Sequence, residues 1–136
     1  MSTEEIASGG TNTSPVRAIL KFDLEPSHAK LYASELARPL RELILAPLTS
    51  LWNRTDELPL KVKCLINVAT LAALGRVELK PHVQAALRNG NSPEELIALF
   101  MHTALYGGVP LAVDGVRILL DVLEDEDASN GDTPQG

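Results

Sequence analysis

Sixteen residues, LKVKCLINVATLAALG at positions 60–75, constrain this chain more than any other stretch. They are apolar almost all the way round a helix, and such a helix is buried rather than laid on a surface. They are too few to cross a bilayer, which takes about 20 apolar residues. The chain must therefore supply other apolar helices to surround this one. It has the material, with 23 Leu and 15 Ala among 136 residues and only 4% aromatics. Leu and Ala are both strong helix formers.

The surrounding punctuation predicts one all-α domain, a compact bundle of about five or six helices with short connections. Ser27 is a candidate N-cap for a helix whose apolar face is Leu31, Leu36, Leu40, Leu43 and Leu45. Pro39 should kink or split that helix, because it lacks an N–H and clashes with the preceding turn. Pro47 should end the second piece, leaving Trp52 and Arg54 in a linker. The apolar helix then runs from about Pro59 to Leu74 and stops at Gly75. A short helix covers about 78–89. Ser92-Pro93-Glu94-Glu95 is the clearest start signal, with Ser at the N-cap, Pro in the first turn and Glu reaching back. That helix stops at Gly107-Gly108, and a last one spans about 110–124. No segment alternates with period two, so no half-buried strand is expected. Residues 1–14 and 124–136 are polar and are expected to be disordered tails, leaving 15–123 as the helical domain.

The net charge of −6 argues against a nucleic-acid binder, which needs a basic face. All 12 basic residues lie between Arg17 and Arg117, while seven of the 18 acidic ones lie in the two tails. The domain itself is therefore near neutral, and its cations are available for an anion. Cys64 is the single cysteine, which excludes an internal disulfide, a multi-thiolate metal site and a CxxC redox pair. The N-terminus, MSTEEIASGGTNTS, is not a secretory signal. A soluble cytoplasmic protein that spans no membrane is expected.

Three sets of polar residues interrupt the apolar helices. Lys63, Asn67 and Thr70 share one helical face. They form either an edge facing solvent or a neighbouring subunit, or the lining of a polar pocket. Glu78 and His82 are four apart, as in a surface pair or in a carboxylate that fixes an imidazole tautomer. His102 and Tyr106 repeat that spacing among Leu99, Phe100, Leu105 and Val109, so both are expected to be partly buried. No HExxH spacing, GxSxG elbow or GK[ST] loop is present, so no metal, serine-hydrolase or phosphate site is expected. Cys64, mid-helix among apolar residues, should pack as a small hydrophobe.

In order along the chain stand Trp52-Asn53-Arg54, the helix of residues 60–76, Glu78-Leu79-Lys80-Pro81-His82, ALRNGNSPEEL at 86–96, and His102-x-x-x-Tyr106-Gly107-Gly108-Val109-Pro110. This series resembles the carboxymuconolactone decarboxylase family, in the alkylhydroperoxidase D-like superfamily. The peroxidase branch works through CxxC followed by His, and here residues 75–82 contain no cysteine. A dithiol peroxidase needs two thiols, so the resemblance is to the decarboxylase branch. The chain departs from that branch in having Lys63-Cys64 for Arg-Ser, Asn67 where Thr is common, and no Trp-Gly before the linker. Lys keeps the charge of Arg but loses its fork for a carboxylate.

The resemblance implies a carbon–carbon lyase that removes CO2 from 4-carboxymuconolactone, or from a related small anionic lactone or oxo acid, without a cofactor. It implies His82 as general acid or base oriented by Glu78, and Lys63 and Arg54 as holders of a carboxylate or oxyanion. His102 and Tyr106 would donate to lactone oxygens, and Trp52 and Asn67 would shape the pocket. A ring-like homo-oligomer, a trimer or hexamer, is implied as well. The departures leave room for a paralogue using the same enolate chemistry for isomerisation, dehydration or cyclisation. A non-catalytic oligomeric binding module is the other alternative.

Overall fold

In a computed structural model, residues 30–31 and 33–131 are described. The proposed Ser27 cap, the boundary at residue 15, the first tail and residues 132–136 lie outside them. The described residues form five helices and no strand: α1 (Arg38–Asn53), α2 (Leu60–Leu74), α3 (Leu79–Arg88), α4 (Pro93–Gly107) and α5 (Val109–Gly131). None is long and apolar enough to cross a membrane.

The chain does break ahead of Pro39. It leaves a helical stretch at Ser34 and resumes at Arg38, with Pro39 in the first turn of α1, where its missing N–H loses nothing. The Arg41 guanidinium donates to the carbonyls of Leu31 and Ser34, two acceptors near the break. Pro47, in contrast, does not end the helix. Six more residues follow it within α1. Pro47 and Leu43 are both exposed, so water can serve the carbonyl that proline leaves without a partner. The last turn of α1 is anchored because Trp52 is buried in the core rather than held in a linker.

Around α2 pack α3, α4 and α5; α5 also packs on α3 and α4. Cys64, Val68 and Ala72, spaced by four, form the buried stripe of α2. They meet Val83, Leu96, Phe100, Leu119 and Val122 in one cluster. The expectation of all-round burial for α2 is corrected here. Val62, Ile66 and Leu74 are exposed, because three neighbouring helices cover only part of its circumference.

Two glycines set the helix spacing. Gly75 ends α2 in the left-handed region (φ 65°) and its N–H returns to the Ala72 and Leu71 carbonyls. Gly115 of α5 lies against the Phe100 ring, where a Cβ would stand 2.5 Å from the nearest ring carbon. The Ser92 hydroxyl accepts from the Glu95 N–H (3.1 Å), and Glu95 accepts from the Ser92 N–H (3.4 Å), so the predicted capping box starts α4. Between α3 and α4, buried Asn91 donates to the Ala86 and Lys61 carbonyls, both at 3.1 Å, tying this turn to α2.

The C-terminal expectation also changes. Residues 124–131 are helical, the last two turns of α5 rather than a tail. Arg88 of α3 forks onto one carboxylate oxygen of Glu126 (2.6 and 3.0 Å), and Lys80 reaches Asp125 at 3.2 Å. Cations on α3 thus hold the acidic run in helical form, a tertiary contact that local polarity does not reveal.

Gly115→Ala should destabilise the domain by about 1–3 kcal/mol through overpacking, although Ala gains about 1 kcal/mol in helix propensity. Urea unfolding checks the sign. Burial pushes the Cys64 thiol from its ordinary 9.0 to about 11. The thiol therefore ionises first in the unfolded chain, and its contribution to stability should be complete below about pH 9 and lost as pH rises toward about 11. Urea midpoints measured over this range should fall less steeply for Cys64→Ala.

Candidate functional site

The end of α1, the middle of α2 and the start of α3 meet around Lys63, Asn67 and His82. Asn67 Nδ2 lies 3.1 Å from His82 Nδ1. With the amide nitrogen donating, Nδ1 accepts and the neutral ring carries its proton on Nε2. One turn earlier on α2, the Lys63 ammonium donates to the Leu51 carbonyl near the end of α1. A cation there also suits the negative end of the helix dipole. His82 and Lys63 are both half-buried, so each keeps access to solvent. Thr70, the third residue of the stripe, turns back to the Ile66 carbonyl at 2.8 Å.

Glu78 stands at the N-cap position of α3, where a negative charge favours the helix dipole. Arg76 grips its carboxylate with two bonds, Nε to Oε2 at 3.3 Å and Nη2 to Oε1 at 3.1 Å. Arg54 caps the C-terminus of α1 and is engaged on the surface by Glu57, at 2.7 and 3.2 Å. That pair holds the Glu57 carboxyl below its ordinary range and the Arg54 guanidinium above its own. A carboxylate ligand at Arg54 would have to displace Glu57.

His102 and Tyr106 fall elsewhere and are not buried. Their rings lie 5.3 Å apart, tilted by 38°, on the outer face of α4. They border a shallow recess of about 380 Å³ with Ala73, Thr103 and Gly107. Met101, Leu105 and Val109 are exposed along with them. The expectation of partial burial fails because α4 is apolar on two faces, and the core takes only the one with Leu96 and Phe100. The eight residues grouped by sequence thus divide. Lys63, Asn67 and His82 assemble, Glu78 lies four residues before His82 with its carboxylate gripped by Arg76, Trp52 is core, Arg54 is in an exposed ion pair, and His102 with Tyr106 forms a separate surface.

Sequence reasoning missed two partners. Arg76, two residues before Glu78, was legible as a nearby opposite charge but not as a two-bond grip. The link from Lys63 to a backbone carbonyl leaves no trace in residue types. Cys64 behaves as expected, buried with a thiol that is neutral at pH 7.

A family model described as "Carboxymuconolactone decarboxylase family" matches residues 40–121. A protein of Acinetobacter baylyi named 4-carboxymuconolactone decarboxylase is 36% identical over 75 residues, which are 54% of this chain and 55% of that protein. The chain thus aligns with only about half the length of that relative. No solved structure matches the chain.

In wild type, 15N shifts of His82 should show predominantly the Nε2–H tautomer when the ring is neutral. Asn67→Ala should give a tautomer mixture with helicity unchanged by circular dichroism. An unaltered tautomer ratio would remove Asn67 from the positioning of this ring.

Proposed function

The chain belongs to the carboxymuconolactone decarboxylase family, and from that premise we propose that it is a cytoplasmic, cofactor-independent carbon–carbon lyase acting on a small anionic lactone or oxo acid. The observation that carries this reading is the contact of Asn67 with His82, which fixes the orientation of the imidazole beside Lys63.

Loss of CO2 leaves an electron pair that must delocalise into the neighbouring carbonyl as an enolate. Donors aimed at the developing oxyanion lower that barrier by several kcal/mol. Lys63 uses one of its three N–H donors on Leu51, and its charge is suited to a carboxylate or an oxyanion. His82, doubly protonated, gives a proton to the carbon left by CO2 and is left as the neutral ring whose Nδ1 accepts from Asn67, and solvent restores the proton. A positioned acid of this kind contributes about 10²–10⁴ in rate. Glu78 acts as a positioning residue at the start of α3, held by Arg76. Peroxidase chemistry lacks support, since the single thiol is buried and protonated at neutral pH.

The Lys63-Cys64 pair favours, as a second reading, related enolate chemistry such as isomerisation, dehydration or cyclisation of another acid. A substrate panel that records CO2 release separates the two. We assign the chain to a homo-oligomer on its exposed apolar side chains, which include Leu36, Leu43, Leu105 and Tyr106, and the family resemblance implies a trimer or hexamer. Sedimentation velocity showing a monomer at micromolar concentration would refute that assignment.

With 4-carboxymuconolactone as substrate, His82→Ala should lower turnover by about 10²-fold or more. Glu78→Gln should also lose turnover, with helicity and sedimentation unchanged in both variants. Wild-type rates from His82→Ala would end the assignment.

A further inference from the structure

Between the C-terminal cap of α2 and the first half of α5 lies a second cleft, of about 340 Å³. Its walls are apolar: Ala72 and Leu79 are buried, and Leu111 and Ile118 are half-buried. Gly75 helps keep it open, because the left-handed turn there brings the chain within 3.2 Å of Leu111 for any added Cβ. Two guanidiniums, Arg76 and Arg117, stand among the lining residues.

Neither guanidinium is saturated among the described residues. Arg76 spends Nε and Nη2 on Glu78, which leaves Nη1. Arg117 faces Asp114 at 3.7 Å, beyond hydrogen-bond distance, and makes no hydrogen bond. A guanidinium carries five N–H donors in a planar fork that matches a carboxylate. Asp114 at the same cleft disfavours a ligand with a second negative charge. The volume lies at the low end of small-molecule sites, about 300–1,000 Å³, so the occupant is small.

We infer that this cleft binds a small organic monocarboxylate, its apolar body against Leu79, Leu111 and Ile118 and its carboxylate on Arg117 and Arg76. The lining residues do not include Lys63, Asn67 or His82, so binding here does not depend on the proposed activity. Arg76 connects the two places, since it also holds Glu78.

The full chain, 15N-labelled, is titrated with sodium benzoate and separately with benzyl alcohol, its uncharged counterpart. Saturable shifts of the Gly75, Val77 and Leu111 amides are expected, with benzoate binding about tenfold more tightly than the alcohol, the scale of one charge-assisted hydrogen bond. Arg117→Ala, a substitution at an exposed side chain, should weaken benzoate and narrow that preference while leaving the alcohol unaffected. Asp114→Asn should tighten benzoate. Equal affinity for the two probes in wild type, an unchanged benzoate affinity in Arg117→Ala, shifts confined to residues away from the cleft, or no saturation at millimolar benzoate each overturns the inference.

Discussion

Close approach of α2 to its neighbours is the constraint on which the rest depends. Its buried stripe is Cys64, Val68 and Ala72, all small or medium in size. A Cβ at Gly107 of α4 would stand 3.2 Å from Ala73 of α2, and at the neighbouring α4–α5 crossing Gly115 receives the Phe100 ring. Small residues at these crossings let a chain poor in aromatics bury a continuous core, since packing at short range supplies dispersion contacts that bulk would otherwise provide. The same approach brings Asn67 of α2 to His82 of α3. Core and candidate site are therefore products of one packing arrangement.

α1 stands apart from this core. Trp52 is its principal anchor, while Leu36 before it and Leu40, Leu43, Ile44, Leu48 and Leu51 along it remain exposed. The Lys63 ammonium adds a polar tie at the Leu51 carbonyl. A residue proposed to hold substrate thus also fastens a helix end, so the orientation of its charge is fixed by the fold and not by the ligand alone.

Charge is distributed by tertiary contacts in a way that a net value hides. The acidic run after residue 123 is drawn into α5 because Arg88 and Lys80 face it from α3. Arg76 with Glu78 and Arg54 with Glu57 are local pairs, settled within two or three residues. Exposed pairs of this kind contribute about 0–1 kcal/mol. Their importance lies in which donors they leave over for a ligand.

The all-α class, the break at Pro39, the Gly75 stop and the Ser92–Glu95 capping box were legible in the sequence, because each rests on backbone chemistry confined to a few residues. So was the packed state of Cys64. The continuation of α1 through Pro47 and of α5 through its acidic end was not legible. In both, contacts with other helices override the local preference. The candidate site was legible as residue types but not as a grouping. Helical spacing put Lys63 and Asn67 on one face, yet only the packing of α2 against α3 paired Asn67 with His82, and only the limited coverage of α4 left His102 and Tyr106 outside. Sequence by itself determined the helical class, most helix starts and stops, and which polar side chains are available to a site. Tertiary structure decided which of those side chains meet, because helices joined by short turns can present several faces and only their packing selects one.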